Sequence, residues 1–364
     1  MSNNIKKAIH PGFYLKEYIE ELQMTQEEFA NRLGISGKQI SLILSEKASI
    51  TADIAYKLSK LMDTSIEMWL NLQTKYDAHK VELENASSFE REKEVYKYVD
   101  KKFLVNLKII DEEDKPEIAI PKVRKASLVS SLTLHLNKDM LSYYRTSIEK
   151  DETPKNTVCK NVWVSLATSI AKNQEVDAFD EKKLKENIIV FRSMTLLDPS
   201  VFYPKLKEIL TSCGVSLVIL PTLKNSNING VVKWLDSNKV MMALNTRGAT
   251  NDKFWFSFFH ELKHVLQQEK RKMFVGEGQE RSNMELVLEY DADVFASETL
   301  IPSKELSKLL YYGEKSIINF ARDIGVHPGI VVGRLQKLEK IKYSQLNDLK
   351  VKYEIVIDDN APLW

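Results

Sequence analysis

The sequence predicts a mainly α chain with a small β-sheet, an α+β architecture of more than one domain. Three observations carry that expectation. The chain has 364 residues, enough for two or three domains of ordinary size. Gly 12 and Pro 10 together are about half the combined share of roughly 12% in average compositions, and a shortage of breakers favours helix. Helical apolar spacing with cap signals recurs along most of the chain and gives way to short apolar runs only between about 215 and 245.

Lys+Arg is 52 against Asp+Glu 51, a formal charge of +1. No overall cationic field marks the chain for a polyanion, so any nucleic-acid contact must be local. Hydrophobic residues at 43% and charged residues at 28% exclude a wholly disordered or collagen-like chain. The two cysteines, Cys159 and Cys213, lie far apart, which suggests neither a disulfide framework nor a thiolate metal site and fits a reducing compartment. The first eleven residues are polar and no run of 18 apolar residues occurs, so neither a signal peptide nor a membrane span is expected, and a cytoplasmic location is. Only six histidines occur, which makes any close pair of them informative.

Residues 8–76 read as a unit of five short helices. Thr25-x-x-Glu28 is a capping box and Gly34 a natural left-handed C-cap. Ser36-x-x-Gln39 opens the next helix through Ile40 and Ile43, and further starts fall at Thr51 and at Thr64-x-x-Glu67. Residues 77–205 are expected as a helical connector, charge-dense up to about 100, interrupted near 111 and near 150, and without a chemical motif. Residues 206–345 form the next unit, followed by a tail over 346–364. Its start reads as a helix, a turn at Gly214 and an apolar strand from Val215 to Leu220. The runs 231–235 and 240–245 flank a polar turn and predict a hairpin.

A long aromatic-rich helix follows and carries His260-Glu261-Leu262-Lys263-His264. Imidazoles four residues apart lie one above the other on one face, close enough to bind a single ion. Zinc then needs one more protein ligand and an open position for water, whose pKa it lowers. Glu261, one step around the helix, is placed to take that water's proton. Residues 282–302 supply the missing ligand: Ser282-x-x-Glu285 is a capping box, and Leu288, Ala292, Phe295, Ala296, Thr299 and Leu300 follow helical spacing up to Pro302. Glu289 and Asp293 share a face, as expected if Glu289 binds the metal and Asp293 orients a histidine. Asp291 is the rival ligand; it points about 200 degrees away from Glu289 on an ideal helix, so the two do not serve one ion.

In the N-terminal unit, FANRLGISGKQISLIL has two helices joined by a short turn through Gly34, the arrangement of a helix-turn-helix. Ala30 is small where the helices cross, and Leu33, Ile35, Ile40 and Ile43 form the shared core. Ser36, Gly37, Lys38, Gln39 and Ser41 then face solvent at the start of the second helix. Lys38 could reach guanine and Gln39 an adenine or a phosphate if that helix enters the major groove. Residues 1–80 carry 10 Lys+Arg and 10 Asp+Glu, so non-specific affinity for DNA should be modest and steeply weakened by salt. Phe29-Ala30-x-x-Leu33-Gly34-Ile35 recurs as Phe320-Ala321-x-x-Ile324-Gly325-Val326. The helix after the second copy opens Ile330-Val331-Val332, too apolar for a groove, so this copy reads as a packing motif. His327 in the same turn is expected to cap the next helix, with Pro328 at its first position; a part in stabilising an oxyanion is the alternative.

Residues 205–340 resemble the ImmA/IrrE family of zinc metallo-endopeptidases, on FWFSFFHELKH, EYDADVFASETLIP and INFARDIGVHPGIVVGRLQ. The resemblance implies a minimal thermolysin-like (gluzincin) domain, with Zn2+ held by His260, His264 and Glu289 and with Glu261 as catalytic base. Lys263 departs from the glycine common in the family. Residues 10–77 resemble the HigA-type antitoxins of the Xre group, on His10-Pro11-Gly12, the helix-turn-helix, Ile50-Thr51-Ala52-Asp53 and Trp69-Leu70-Asn71-Leu72-Gln73. That likeness implies a homodimer on operator double-stranded DNA. Here Glu46-Lys47-Ala48 stands where many relatives have Asn-Gly and a basic residue. Together they imply a DNA-binding regulator whose zinc endopeptidase hydrolyses a protein substrate such as a repressor, an antitoxin or the chain itself. The alternative is a non-proteolytic antitoxin that binds operator DNA and a partner toxin, with a latent or structural metal site.

Overall fold

The computed structural model describes residues 9–141, 153–245, 250–267 and 278–353, without the side chains of 84–87, 139, 141 and 278–285. The chain divides into two compact units, Met1–Arg91 and Glu92–Trp364. It is mainly helical with one small sheet, the expected class. Among the described residues no helix is long and apolar enough to cross a membrane.

The first unit holds α1 (Pro11–Glu21), α2 (Gln26–Leu33), α3 (Gly37–Leu44), α4 (Ala52–Met62) and the start of α5 (Ile66–Tyr96). Each start carries a side-chain cap, which satisfies amide donors that helix geometry leaves unpaired. His10 Nδ1 accepts from Gly12 N at 2.9 Å, Thr25 Oγ1 from Glu28 N at 3.1 Å, and Thr51 Oγ1 from Ile54 N at 3.4 Å. The expected start at Thr64 shifts by one residue. Ser65 Oγ accepts from Met68 N at 3.1 Å, because the Thr64 hydroxyl is engaged by the indole N–H of buried Trp69 at 2.8 Å. Leu15, Phe29, Ala30, Ile40, Ile43, Ile54 and Leu58 close around Trp69 as the core.

The second unit opens with α6 (Lys101–Asn106) and α7 (Pro116–Ala126); Pro116 sets the helix start after the acidic interruption near 111. The interruption expected near 150 lies outside the described residues as far as 152, and Thr153 then caps α8 (Pro154–Asn173). Thr157 to Ser169 of α8 are buried, and the helix packs on strands β1 (Val215–Leu220) and β3 (Val240–Asn245). Next come α9 (Glu181–Glu186), α10 (Ile188–Ser193) and α11 (Pro199–Ser212), the last also against β1. Gly214 joins α11 to β1 at φ +78°, and a Cβ there would collide with the backbone of Phe179.

The sheet has the order β1-β3-β2. Strand β2 (Gly230–Trp234) pairs antiparallel with β3, with Gly230 opposite Leu244 and Trp234 opposite Val240, so the expected hairpin is present. β1 runs parallel to β3. All six residues of β1 are buried, which is why its sequence is a continuous apolar run and not an alternation.

α12 (Asn251–Leu266) crosses β2 and β3. Its residues Trp255, Phe258, Phe259, Leu262 and Val265 are buried and meet rings of the earlier helices: Phe202 and Trp255 lie 4.9 Å apart, Phe191 and Phe258 5.4 Å. α13 (Gly278–Leu300) packs along α12 through Ala292, Ala296 and Leu300, a stripe of period four. The helix already runs from Gly278, so Ser282 lies inside it and not at its start. After α14 (Ser303–Leu306), α15 (Glu314–Ile324) and α16 (Pro328–Lys337) close the core. Residues 354–364 of the expected tail lie outside the described residues.

Candidate metal centre and helix-turn-helix unit

α12 turns its aromatic stripe inward and leaves the flank with His260 and His264 toward α13. The two Nε2 atoms stand 3.1 Å apart. Glu289, from α13, reaches both: one carboxylate oxygen is 3.2 Å from His260 Nε2 and the other 3.3 Å from His264 Nε2. Three donor atoms, one from each residue, lie within 4.8 Å of one another. His264 is buried, His260 and Glu289 half-buried.

The far side of each ring is fixed. His260 Nδ1 meets Asp293 Oδ1 at 2.9 Å. His264 Nδ1 meets Gln267 Oε1 at 3.0 Å, and the Gln267 amide is oriented by its N–H donation to Leu288 O at 3.2 Å. Both Nδ1 atoms therefore act as donors, and in neutral imidazoles both Nε2 lone pairs face each other and a carboxylate. Three acceptors converging on one point repel unless a cation or a proton lies between them. Nitrogen and oxygen donors in this number suit zinc, and the outer hydrogen bonds set the tautomer that leaves Nε2 free to coordinate.

The charges respond accordingly. Burial would lower the pKa of His260, but hydrogen bonds to Asp293 and Glu289 outweigh it and push the imidazole up to about 10. Burial would raise Glu289, yet its hydrogen bonds to the two imidazoles hold it far below the ordinary carboxylate range. Glu261 behaves differently: burial raises it to about 7, against the opposing pull of His264 and His260. Its Oε2 is buried without a hydrogen-bond partner. Behind it lies Gly230 of β2, where an added Cβ would stand 2.5 Å from Glu261 Cγ and 2.6 Å from Cδ.

The structure thus brings together His260, His264, Glu289, Asp293 and Glu261. Asp291 is exposed and stands outside the cluster. Lys263 reaches over the ring of Phe295, 5.6 Å from its centroid. His327 caps α16, its Nδ1 accepting from Gly329 N at 3.1 Å and from the Asn251 amide at 2.7 Å. Sequence reasoning missed Gln267 and Gly230. Gln267 had a signal, a polar side chain three residues beyond His264 on the same face; Gly230, far upstream of Glu261 on a strand, had none.

In the first unit Gly34 ends α2 at φ 68°, ψ 40°, and Ile35 N donates back to Ala30 O at 3.0 Å. Ser36 caps α3, accepting from Gln39 N at 3.2 Å. Ser36, Lys38, Gln39 and Ser41 are exposed, with Ile40 and Ile43 buried beneath them. Glu46 takes φ 60° after α3, a left-handed position that Asn or Gly occupies at lower cost. The second copy of the turn repeats the geometry: Gly325 has φ 68° and Val326 N donates to Ala321 O at 3.0 Å. Ile330, Val331 and Val332 of α16 are buried.

A regulator of Escherichia coli K12, the uncharacterized HTH-type transcriptional regulator YbaQ, is 32% identical over 83 residues, covering 22% of this chain and 74% of the relative. The chain belongs to the helix-turn-helix regulators. Virulence-associated protein I of Dichelobacter nodosus is 35% identical over 85 residues, covering 23% of this regulator and 79% of the relative. Among solved structures, an addiction module antidote protein of the HigA family from Coxiella burnetii shares 36% identity; it covers 23% of this chain and 94% of its own, with a TM-score of 0.22. The helix-turn-helix family matches residues 15–69, and the IrrE N-terminal-like domain matches residues 214–336. The regulator therefore joins a DNA-binding helix-turn-helix domain to a domain of the IrrE peptidase type.

Proposed function

We propose that this regulator is a zinc-dependent endopeptidase that cuts a regulatory protein, with operator binding by its N-terminal domain. The observation that carries the reading is the convergence of His260 Nε2, His264 Nε2 and Glu289 beside the buried carboxyl group of Glu261. His260, His264 and Glu289 would hold zinc, which supplies a Lewis acid and lowers the pKa of a water molecule. Glu261 is the base: its buried carboxylate takes a proton from the attacking water and returns it to the leaving amine nitrogen. Asp293 and Gln267 keep the imidazoles in the tautomer that points Nε2 inward. The substrate class is a regulatory protein, such as a repressor, an antitoxin or the chain itself.

On the DNA side, Lys38 and Gln39 read base edges while Ser36 and Ser41 contact the backbone, and a dimer spans paired half-sites. Ser36 already accepts from Gln39 N, which leaves its hydroxyl proton to donate to a phosphate.

The test pairs wild type with Glu261→Gln, both loaded with zinc and incubated with candidate repressors and with the product of the neighbouring gene. Zinc in both and cleavage by wild type alone supports the reading. Identical behaviour of the two proteins refutes it and favours the non-proteolytic antitoxin that captures a toxin. Operator binding that survives Lys38→Ala and Gln39→Ala with affinity and sequence preference unchanged would refute the assignment of α3.

A further inference from the structure

A cavity of about 1070 Å³ lies in the second unit at the opposite end of α12 from His264. Its volume is that of a small-molecule site. Three observations on its walls point the same way.

The first is a set of orphaned polar atoms. Thr250 Oγ1, Asp252 Oδ1 and Arg334 Nε are buried without hydrogen-bond partners, and all three residues line this one cavity. Native proteins satisfy nearly all such groups, so three at one place mark a position where a ligand supplies the missing partners. Thr250 and Arg334 offer donors; Asp252 Oδ1 offers an acceptor.

The second is charge. Lys253, Arg334, Lys337, Lys350 and Lys352 line the cavity and Asp252 is the acid among the lining residues. Lys350 neutralises it through Oδ2 at 2.7 Å in a buried pair. The remaining cations face a space whose other walls include the rings of Phe254, Phe256 and Tyr353.

The third is the start of α12. Thr250 is its N-cap and makes no side-chain cap hydrogen bond; Asn251 Oδ1 accepts from Asp252 N at 3.0 Å instead, so the Thr250 hydroxyl stays free for a ligand.

From these we infer that the cavity binds a small organic anion: an apolar or aromatic body with one carboxylate, sulfonate or phosphate group and one hydrogen-bond donor. The acid group meets Arg334 and Thr250 Oγ1. The ligand's donor meets Asp252 Oδ1, and the body lies against Phe254, Phe256 and Tyr353. The site does not depend on the metal reading, because none of the proposed ion-binding residues lines it. It does share α12 with them: Phe256 lines the cavity and its ring is 6.3 Å from that of His260, so a bound anion touches the helix that carries the metal motif.

The probe pair is anilinonaphthalene sulfonate and phenylnaphthylamine, which share rings and N–H and differ in the sulfonate. Both are titrated by fluorescence into the full chain, treated with chelator. Wild type is expected to prefer the sulfonate by about tenfold, and Arg334→Gln to remove that preference. Lys337 is exposed, so Lys337→Glu keeps the fold and is expected to weaken the sulfonate alone. Thermal melts establish that each variant is folded. Equal affinity for the two probes, no binding of either, or a sulfonate preference that survives both substitutions overturns the inference.

Discussion

Replacing Glu261 by Gln should stabilise the metal-free protein while abolishing cleavage. Glu261 is 5% exposed, and burial lifts its pKa from 4.5 to about 7. A raised folded-state pKa means that the folded chain holds the proton more tightly than the unfolded chain. The carboxyl group therefore costs nothing below pH 4.5, and its cost grows as pH rises toward 7. Two and a half units at 1.36 kcal/mol each amount to about 3 kcal/mol above pH 8. Gln keeps the shape and carries no charge, so the variant escapes that cost, as expected for a group kept for function at the expense of stability. Urea unfolding of chelator-treated wild type and Glu261→Gln measures the difference. The variant should gain about 3 kcal/mol at pH 8 and under about 1 kcal/mol at pH 5. Zinc should shrink the gain at pH 8, because a nearby cation favours the ionised carboxylate. A gain that is absent, or the same at both pH values, would refute the assignment of Glu261 as a desolvated carboxyl group.

Asp293→Ala removes the partner of His260 Nδ1 and should weaken zinc binding by about 10- to 100-fold, measured by competition with a chelator of known affinity. Gly230→Ala drives a methyl group into the Glu261 side chain; cleavage should fall at least about tenfold with circular dichroism unchanged, since the displaced group is the proposed base. His135 is fully buried and held at about 4 by desolvation, against 6.5 in the unfolded chain. Its neutral form is the stable one, so its contribution is complete above pH 6.5 and is lost as pH falls toward 4. Between pH 7.5 and 4.5 wild type should lose about 2.5 kcal/mol more than His135→Gln in urea titrations.

Local signals were legible where one element holds the whole pattern. The His260–His264 spacing, the caps at Thr25, Ser36 and Thr51, and the turn at Gly34 are determined within a turn or two of helix. The 31-residue span of α5 merged the last expected short helix with the charged stretch after it, since no breaker separates them. Relations between distant segments were harder. That Glu289 and not Asp291 faces the histidines depends on how α13 rotates against α12, which the buried stripe of Ala292, Ala296 and Leu300 fixes. The place of Gly230 behind Glu261 depends on the sheet order, and parallel pairing of β1 with β3 leaves no mark in either strand. The buried α8 carried no chemical motif, and its mixture of Thr, Ser, Asn and Lys with apolar residues masked its depth in the core.

The central claim is that His260, His264 and Glu289 hold one zinc ion. Metal analysis of the purified full chain tests it most directly, with Asp291→Ala as the control for the rival acid. The account predicts about one zinc per chain in wild type and in Asp291→Ala, and loss of that zinc in His264→Ala and in Glu289→Ala. Stoichiometric zinc retained by His264→Ala, or zinc lost from Asp291→Ala and kept by Glu289→Ala, would contradict it.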